Sequence, residues 1–452
     1  MREHNLTEGN IIKTLLFFAV PFLIANILQS LYGAVDLFVV GKYCAAESVA
    51  AISTGTQVTQ IVTSLATGLT LGGTILIGQY TGSRDNVRVK QTIGTMLTVF
   101  AVFALILTAL MLGFERQLLT LLQTPAESFE LTMQYVAVCS AGNLFICGYN
   151  ALSAVLRGYG DSTRPMIFVG VACVLNIVLD LLFVAVFGLG VAGTALATVI
   201  SQAVSMCIAI VYLKKKDFIF DFRLKSFRPV KEIAVRLAKV GIPISFQELM
   251  VRISFLYLAA VMNGCGVYAA AVVGISSKYD VFAMLSATSM ASALAAITAQ
   301  NMGAGKPERA RQSLWYGMGF ALFVSCLFFL WAQVSPQSMI RVFADETNIV
   351  KAGIPFFRSC SYDYIMVAMV FCLNGYLNGR QKTVWTMVSC SAGALLLRIP
   401  MVYLFGNYFA DDLGRLGMIA PIVSGIMAFY TLVYVLCENR SFRRREKAAG
   451  TV

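Results

Sequence analysis

Charged side chains are scarce in this chain. Asp, Glu, Lys and Arg make up 13% of its 452 residues, against about a quarter in a typical soluble domain. Hydrophobic residues make up 58%, and the mean hydropathy is +0.75. Because so little polar sequence is left for a soluble domain, the composition predicts an integral membrane protein.

Histidine is almost absent, and cysteine lacks metal-binding spacing. His4 is the single histidine, which argues against an intramembrane His-based metalloenzyme or a Ser–His hydrolase. The eleven cysteines are odd in number and lie mostly in apolar runs without clustering, so we interpret them as small buried hydrophobes. We therefore expect no enzyme activity, no cofactor and, Na⁺ apart, no metal.

Apolar runs long enough to cross a bilayer recur along the whole chain. A spanning helix needs roughly 20 apolar residues, and the runs lack the alternation of barrel strands. The opening MREHNLTEGNIIK has no layout of a cleavable signal, so the first span is expected to be retained. We predict an all-α fold of twelve transmembrane helices, at residues 13–41, 47–78, 91–113, 131–156, 165–186, 191–213, 233–262, 268–298, 311–332, 350–377, 384–405 and 416–437.

The net charge of +12 comes from basic residues that sort by side of the predicted membrane. Most lie in the termini and in the connections after even-numbered spans, including Lys214 to Lys216 and Arg443 to Arg445. Connections after odd-numbered spans hold few, mixed with acidic residues such as Asp411 and Asp412. The positive-inside rule therefore predicts a cell-membrane protein with both termini in the cytoplasm. No nucleic-acid partner is expected.

A polar stretch divides the twelve spans into six plus six. We predict an amino-terminal six-helix lobe at 1–213, a cytoplasmic linker at 214–232, a carboxy-terminal six-helix lobe at 233–438 and a basic cytoplasmic tail at 439–452. Across the linker QYTGSRDNVRVKQT, from Gln79, aligns weakly with QNMGAGKPERARQS, from Gln300, at an offset of 221 residues. Both first spans contain a proline, Pro21 and Pro243, which permits a bend. The prediction is a parallel repeat of two pseudo-symmetric lobes.

Ionisable residues at membrane depth are costly and mark functional sites. In the amino-terminal half, Asp36 lies in span 1 and Asp180 in span 5, with no basic residue near either in sequence. Asn176 precedes Asp180 by one helical turn, so the amide and the carboxylate share a helix face. Such a set could hold a proton or a hydrated Na⁺.

The carboxy-terminal half mixes both signs at this depth. Glu248 and Arg252, at i and i+4 in span 7, form either an internal ion pair or part of an ion-coupling site. Lys278, Asp280 and Arg398 lie toward span ends or can pair locally, which favours structural roles. The basic and acidic residues of spans 8, 10 and 11 are Lys278, Asp280, Arg358, Asp363 and Arg398.

Several motifs, taken in order, resemble one known family. They are GNIIKTLLFFAVPFLIANILQSLYGAVDLFVVGKY at the start, GQYTGSRD after span 2, LRGYGDSTRPM between spans 4 and 5, LNIVLDLLF in span 5, GVAGTALATVISQ in span 6 and AQNMGAGKPERAR after span 8. Over essentially its full length the chain is similar to the multidrug and toxic compound extrusion family, called MATE. The resemblance implies a V-shaped pair of lobes that export small organic, often cationic, compounds in exchange for Na⁺ or H⁺ by alternating access.

The resemblance also implies which residues bind the coupling cation. Family members combine an Asp of span 1, an Asn of span 4, an Asn and an Asp of span 5 and a Thr of span 6, which correspond here to Asp36, Asn150, Asn176, Asp180 and Thr198. Other members place the cation in the carboxy lobe, at positions that correspond to Glu248 and Asp363. This chain carries both sets, so both lobes remain candidates. A bend at Pro21 would link occupancy of Asp36 to the shape of the amino-lobe cavity.

Two other interpretations stay open from the sequence. A flippase for lipid-linked precursors, from the same superfamily, would need a more cationic cavity, and Arg252, Arg358 and Arg398 leave that open. A channel would need a filter motif, and none is recognisable. The expected partners are small organic substrates and the lipid bilayer, and the chain is expected to act as a monomer.

Overall fold

The computed structural model describes residues 5–122, 124–215, 218–409 and 412–448, and within these ranges the chain is helical without β-strands. His4, Lys216, Asp411 and the last four residues of the predicted tail lie outside the described residues, as do the side chains of Arg443 to Arg445. The α-helices are, in chain order, α1 (Ile11–Tyr43), α2 (Ala46–Gly82), α3 (Asn86–Leu121), α4 (Ala126–Ala141), α5 (Asn143–Gly158), α6 (Thr163–Asp180), α7 (Gly190–Lys215), α8 (Lys231–Gly264), α9 (Val267–Gly303), α10 (Pro307–Val334), α11 (Pro336–Arg341), α12 (Thr347–Cys360), α13 (Tyr362–Gly379), α14 (Thr383–Ala392), α15 (Ile399–Tyr408), α16 (Leu413–Gly417) and α17 (Ile419–Ala448).

The helices reproduce the predicted membrane spans. Among the described residues, eleven helices, taken with their direct continuations, are long and apolar enough to cross a membrane. The helices α4 and α5, bent by 50° at their joint, make a twelfth if the pair is counted as one span. The bend lies at Gly142, where a Cβ atom would come within 2.3 Å of the Val199 side chain, so glycine allows α7 to approach the joint. Each predicted span falls within one of these units, and the all-α membrane fold is confirmed.

Two spans change from α-helix to π-helix along their length. Leu181–Val186 continues α6, and Gly393–Arg398 continues α14. Pro400 offers a reason in the second span, because proline donates no N–H and interrupts the α-helical pairing before it. π segments are uncommon and often occur at functional sites. Each one here adjoins a charged residue at membrane depth, Asp180 in the first span and Arg398 in the second.

The chain divides into two compact units. Unit 1 holds the leader up to Glu8, Phe17–Ser245 and Ala299–Gly305, and unit 2 holds Gly9–Leu16, Phe246–Thr298 and the described chain from Lys306 onward. The division falls inside α8 because the first half of that helix packs closely on α2. The Ser245 hydroxyl donates to the Leu65 carbonyl oxygen at 2.7 Å, and a Cβ on Gly68 would lie only 2.2 Å from the Ser245 nitrogen.

The polar stretch between α7 and α8 is packed against unit 1. From Phe218 onward it is described, and it makes a short 3₁₀ turn at Leu224–Phe227. The Thr98 hydroxyl of α3 donates to the Phe227 carbonyl oxygen at 2.6 Å, and the Val230 N–H donates to the Thr95 hydroxyl at 3.0 Å. These bonds hold the carboxyl end of the stretch along α3.

The repeated sequence motifs meet within unit 1. A Cβ on Gly82 would lie 2.0 Å from the Gln300 carbonyl oxygen, and a Cβ on Gly303 would lie 2.0 Å from the Gln79 carbonyl oxygen. The contact is therefore reciprocal, as expected when equivalent positions of a repeat touch. The Gln300 amide also donates to the Gly158 carbonyl oxygen at 2.9 Å. Close backbone approach explains why both positions are glycine.

Candidate cation-coupling site

Three helices of unit 1 supply buried polar side chains to one cluster. Asp36 lies on α1, Asn176 and Asp180 lie on α6, and Thr198 lies on α7. Asn176 and Asp180 are fully buried, and Asp36 is 4% exposed. We call these four residues the amino-half site. The one-turn spacing of Asn176 and Asp180 places both on the face of α6 that interacts with Asp36.

Asp36 is the centre of the amino-half site. The Thr198 hydroxyl donates to Asp36 Oδ2 over 3.5 Å, a long hydrogen bond. Asp180 and Asn176 are also near enough to interact with the Asp36 carboxyl group. Neither makes a normal hydrogen bond to it, and their side-chain oxygen and nitrogen atoms have no hydrogen-bond partner among the described residues.

Most polar atoms of the amino-half site lack a hydrogen-bond partner in the described chain. They are Asp36 Oδ1, both carboxyl oxygens of Asp180 and both amide atoms of Asn176. Each such buried atom costs about 1–3 kcal/mol. No ion pair within 4.0 Å links Asp36 or Asp180 to a basic side chain among the described residues. A proton or a small cation fits this set, because carboxylate and amide oxygens are the hard ligands that Na⁺ accepts.

Asn150 has a hydrogen-bond partner outside the amino-half site, and Tyr32, which the sequence expectation does not include, lies beside that site. Asn150 is half-buried on α5, and its amide donates to the Ile146 carbonyl oxygen of its own helix at 2.8 Å. Within the described ranges no hydrogen bond joins Asn150 to the amino-half site. Tyr32 adjoins the site, with its hydroxyl oxygen 3.3 Å from Ser201 Oγ and 3.4 Å from the Thr198 carbonyl oxygen. Tyr32 precedes Asp36 by four residues, so the two share a face of α1, and this spacing is the sequence signal for its place beside the site.

Unit 2 contains a second acidic cluster, around a cavity of about 130 Å³. Asp280 on α9 and Asp363 on α13 both line this carboxy-half cavity. Asp363 is 5% exposed, and its Oδ1 has no hydrogen-bond partner in the described part of the chain. Polar, aromatic and aliphatic side chains share the remaining wall, among them Ser276, Phe255, Phe356 and Leu258. The cavity therefore combines two carboxyl groups with a mainly apolar surface.

Glu248, which the sequence analysis groups with Asp363, is not among the described residues that line the carboxy-half cavity. It is half-buried on α8 and interacts electrostatically with Arg252. The two form no ion pair within 4.0 Å among the described residues. Asp280 is the residue that accompanies Asp363. Lys278, the possible local partner of Asp280 in sequence, has an exposed side chain.

Arg398 differs from the other basic residues at membrane depth in this half. It is 5% exposed, whereas Arg252, Lys278 and Arg358 are exposed. Its Nη1 donates to the Ser254 hydroxyl at 3.0 Å, and its guanidinium lies 4.2 Å from the centre of the Phe255 ring. Both partners lie on α8, so a hydrogen bond and a cation–π contact fix the charge in place.

Comparison with known proteins identifies the family. The MatE family model matches residues 21–182 and again residues 243–404. The chain belongs to the MatE family. The two MatE matches cover most of the chain, and each begins at the helical proline of its half, Pro21 or Pro243. The family resemblance found in the sequence is confirmed.

Curated relatives match this MatE chain along nearly all its length. It is 28% identical over 418 residues to the probable multidrug resistance protein YpnP of Bacillus subtilis, which covers 91% of this chain and 92% of that protein. It is 23% identical over 452 residues to the multidrug export protein MepA of Staphylococcus saprophyticus, covering 98% of each. It is 24% identical over 447 residues to an FAD transporter of Shewanella oneidensis, covering 96% and 97%.

Solved structures show the same fold. A multidrug resistance MATE family transporter in an outward-facing conformation superposes with a TM-score of 0.91 at 23% identity, covering 98% of both chains. A MATE structure in the bent conformation gives a TM-score of 0.92 at 23% identity, covering 99% of both. The family match, the named relatives and the long apolar helices together make this MatE protein a multi-pass membrane transporter.

Proposed function

We propose that this chain exports small organic compounds, cationic or amphipathic in character, in exchange for Na⁺ or H⁺. The coupling cation binds at the amino-half site. Cation and substrate each bind one of two conformations more strongly than the other, which is the thermodynamic requirement for coupling. The protein acts as a monomer in the cell membrane, with both termini in the cytoplasm.

The observation that carries this proposal is a pair of buried carboxyl groups without a positive partner. Asp36 and Asp180 retain unpartnered oxygen atoms at membrane depth. An unpaired charge there is strongly unfavourable, so the pair is stabilised by taking up a proton or a cation. Ionisable groups placed in this way mark ion pathways in membrane proteins.

The exchange cycle follows from charge neutralisation. An external cation neutralises the amino-half site and stabilises the conformation that releases substrate outward. Substrate arriving from the cytoplasm then favours the opposite conformation, and the cation leaves inward. Pro21 lies inside α1, the helix that carries Asp36, and its missing N–H gives that helix a place to bend when occupancy changes.

The names of the relatives supply two substrate classes. YpnP and MepA are named for multidrug resistance and export, and the Shewanella oneidensis relative is named for FAD. We place organic cations first, as the amino-half site and the carboxy-half cavity are both acidic. FAD carries a negatively charged diphosphate, so transport of FAD would argue against a preference for organic cations.

The flippase interpretation takes second place. It depends on a cationic cavity built from Arg252, Arg358 and Arg398. Arg252 and Arg358 are exposed, and Arg398 interacts with Asp363. The charge of Arg398 is thus partly offset by an acidic neighbour, which weakens the flippase interpretation.

The proposal can be tested with purified protein in liposomes. Ethidium transport is measured under an imposed Na⁺ gradient and, separately, under a pH gradient, with FAD as a second substrate. We expect one gradient to drive ethidium transport and Asp180→Asn to reduce it by about tenfold or more. Glu127→Gln is the matched control, because it neutralises an exposed carboxyl group at the start of α4.

Two outcomes would contradict the antiport. In the first, protein with an unchanged melting temperature transports neither ethidium nor FAD under either gradient. In the second, Asp180→Asn transports as well as Glu127→Gln under the same gradient.

A further inference from the structure

Unit 1 contains a polar cavity of about 400 Å³ that shares no described residue with the amino-half site. It lies where the leader meets the ends of α2 and α5 and the start of α3, outside the predicted membrane spans. Its volume is in the range of small-molecule sites, roughly 300–1,000 Å³. Hydroxyl and amide side chains form much of its wall, those of Asn5, Thr7, Thr81, Asn86, Tyr159 and Gln300.

The surrounding chain holds this wall in place. The Asn301 amide donates to the Leu6 carbonyl oxygen at 3.3 Å, and the Leu6 side chain is buried, so the leader is fixed where it borders the cavity. On the α5 side the Tyr159 ring packs edge-on against Phe218, with ring centres 5.3 Å apart. The cavity is thus formed in advance, which lowers the entropic cost of binding a ligand.

The single charge in the described wall of the cavity is positive, and it belongs to Arg84. The Arg84 side chain is 85% exposed, and its Nη2 lies 3.9 Å from Oε1 of Glu8, a surface ion pair of a kind that contributes little to stability. The hydroxyl oxygen of Thr81 is buried and has no hydrogen-bond partner among the described residues. A guanidinium and this hydroxyl group can therefore both bind a ligand that carries acceptor oxygens.

The backbone at Arg84 has a conformation that suits glycine. Its φ of 58° lies in the left-handed region, which is unfavourable for a residue with a Cβ atom. The alignment of the two repeated motifs places Gly305 opposite Arg84, and Gly305 has a φ of 69°. The same turn is thus made with glycine in one half and with arginine in the other. A residue kept in a strained conformation indicates a function for its side chain.

We propose that this cavity binds a phosphate group esterified to a small hydroxylated moiety, with Arg84 as the principal phosphate ligand. The planar guanidinium presents paired donors that match phosphate oxygens. The hydroxyl and amide side chains of the wall bind the remaining phosphate oxygens and the hydroxylated part. A soluble phosphate ester and the headgroup of an anionic phospholipid share this chemistry. The site goes beyond the antiport and uses none of its residues.

Replacing Arg84 by glycine should separate ligand binding from stability. Arg84→Gly should weaken binding by about tenfold or more, because a charged donor is lost. Its melting temperature without ligand should be at or above that of the wild-type protein, because glycine suits the left-handed turn. An arginine that served only the fold would give a lower melting temperature. Glu8→Gln should tighten binding, because it removes the carboxylate that faces Arg84.

The experiment uses the full chain in detergent. Binding of glycerol 3-phosphate is measured by isothermal titration calorimetry, and binding of phosphatidylglycerol by native mass spectrometry. Glycerol and a diacylglycerol with the same chains are the control ligands, because they lack the phosphate. Arg223→Gln is the matched control variant: Arg223 is also exposed and forms an ion pair with Asp221 at 3.7 Å, but it does not line the cavity.

Each result decides the proposal. Binding of either phosphate probe by the wild-type protein and by Arg223→Gln, with a loss in Arg84→Gly that keeps its melting temperature, supports it, and the probe that binds identifies the source of the phosphate. Absence of binding by the wild-type protein for both probes overturns it. Equal binding by Arg84→Gly, or a lower melting temperature of that variant, overturns it as well. Since neither measurement uses an ion gradient, the outcome is independent of whether the protein is an antiporter.

Discussion

The amino-half site and the carboxy-half cavity differ in their fixed charge. Asp36 and Asp180 have no ion pair with a basic side chain in the residues described, and several of their oxygen atoms are unpartnered. Asp280 and Asp363 share their surroundings with Arg398, whose charge is held by Ser254 and Phe255. The first site has no basic side chain paired with it among the described residues, whereas the second has the Arg398 charge nearby. This difference favours the amino half as the place where an ion gradient acts.

The two halves share features of their helical frame in spite of that difference. Each half contains a helical proline in its first span and a π segment beside a charged residue. The residue at the π segment is Asp180 in one half and Arg398 in the other. The same kind of helical frame therefore accepts charges of opposite sign next to its two π segments.

The largest expected effect comes from giving the amino-half site its own fixed cation. Thr198→Lys places an ammonium group beside Asp36, so the site should no longer need a solution cation. Gradient-driven ethidium transport in liposomes should fall by about tenfold or more. Thr198→Met is the control of similar length without charge. If Thr198→Lys transports as much ethidium as Thr198→Met, a fixed positive charge does not replace the coupling cation at this site.

A smaller effect tests the shared frame. Gly82→Ala and Gly303→Ala should each destabilise the protein by about 1–3 kcal/mol, a typical overpacking cost, because each new Cβ would lie 2.0 Å from a backbone carbonyl oxygen. The melting temperature in detergent measures this, and the two losses should be similar. Gly319→Ala is the control, since no atom lies within 4 Å of its Cβ position. Unequal losses, or none, would show that the reciprocal contact is not tight.

The smallest effects are expected at the exposed basic residues of the carboxy half. Arg252→Gln and Lys278→Gln should change the free energy of unfolding by no more than about 0.5 kcal/mol. The melting temperature in detergent measures this, with Arg398→Gln as the contrast, because that side chain is buried and donates to Ser254. A loss in Arg252→Gln or Lys278→Gln as large as that in Arg398→Gln would show that the replaced charge has a partner in the fold.

The sequence predicts the helices and half of the charge arrangement. Long apolar runs fix the spans, and the one-turn spacing of Asn176 and Asp180 fixes their common face. Asp36 is recognisable because no basic residue is near it in sequence. These features depend on the spacing of residues within one helix, and the structure has the same helices and the same shared face.

The carboxy-half arrangement could not be predicted in the same way. Asp280 and Lys278 are neighbours in sequence, but side chains two residues apart on a helix do not face each other. Their separation leaves Asp280 to interact with Asp363, from another helix. Arg398 likewise contacts Ser254 and Phe255, far away in sequence. These partners depend on helix packing, which local spacing does not encode.

The most direct test compares Asp36→Asn with Asp363→Asn in the same liposome assay, under the gradient that drives the wild-type protein. Our account predicts that Asp36→Asn retains less than about a tenth of the gradient-driven ethidium transport, whereas Asp363→Asn still responds to the gradient. Loss of the gradient response in Asp363→Asn alone, with Asp36→Asn unaffected, would contradict it and place coupling in the carboxy half.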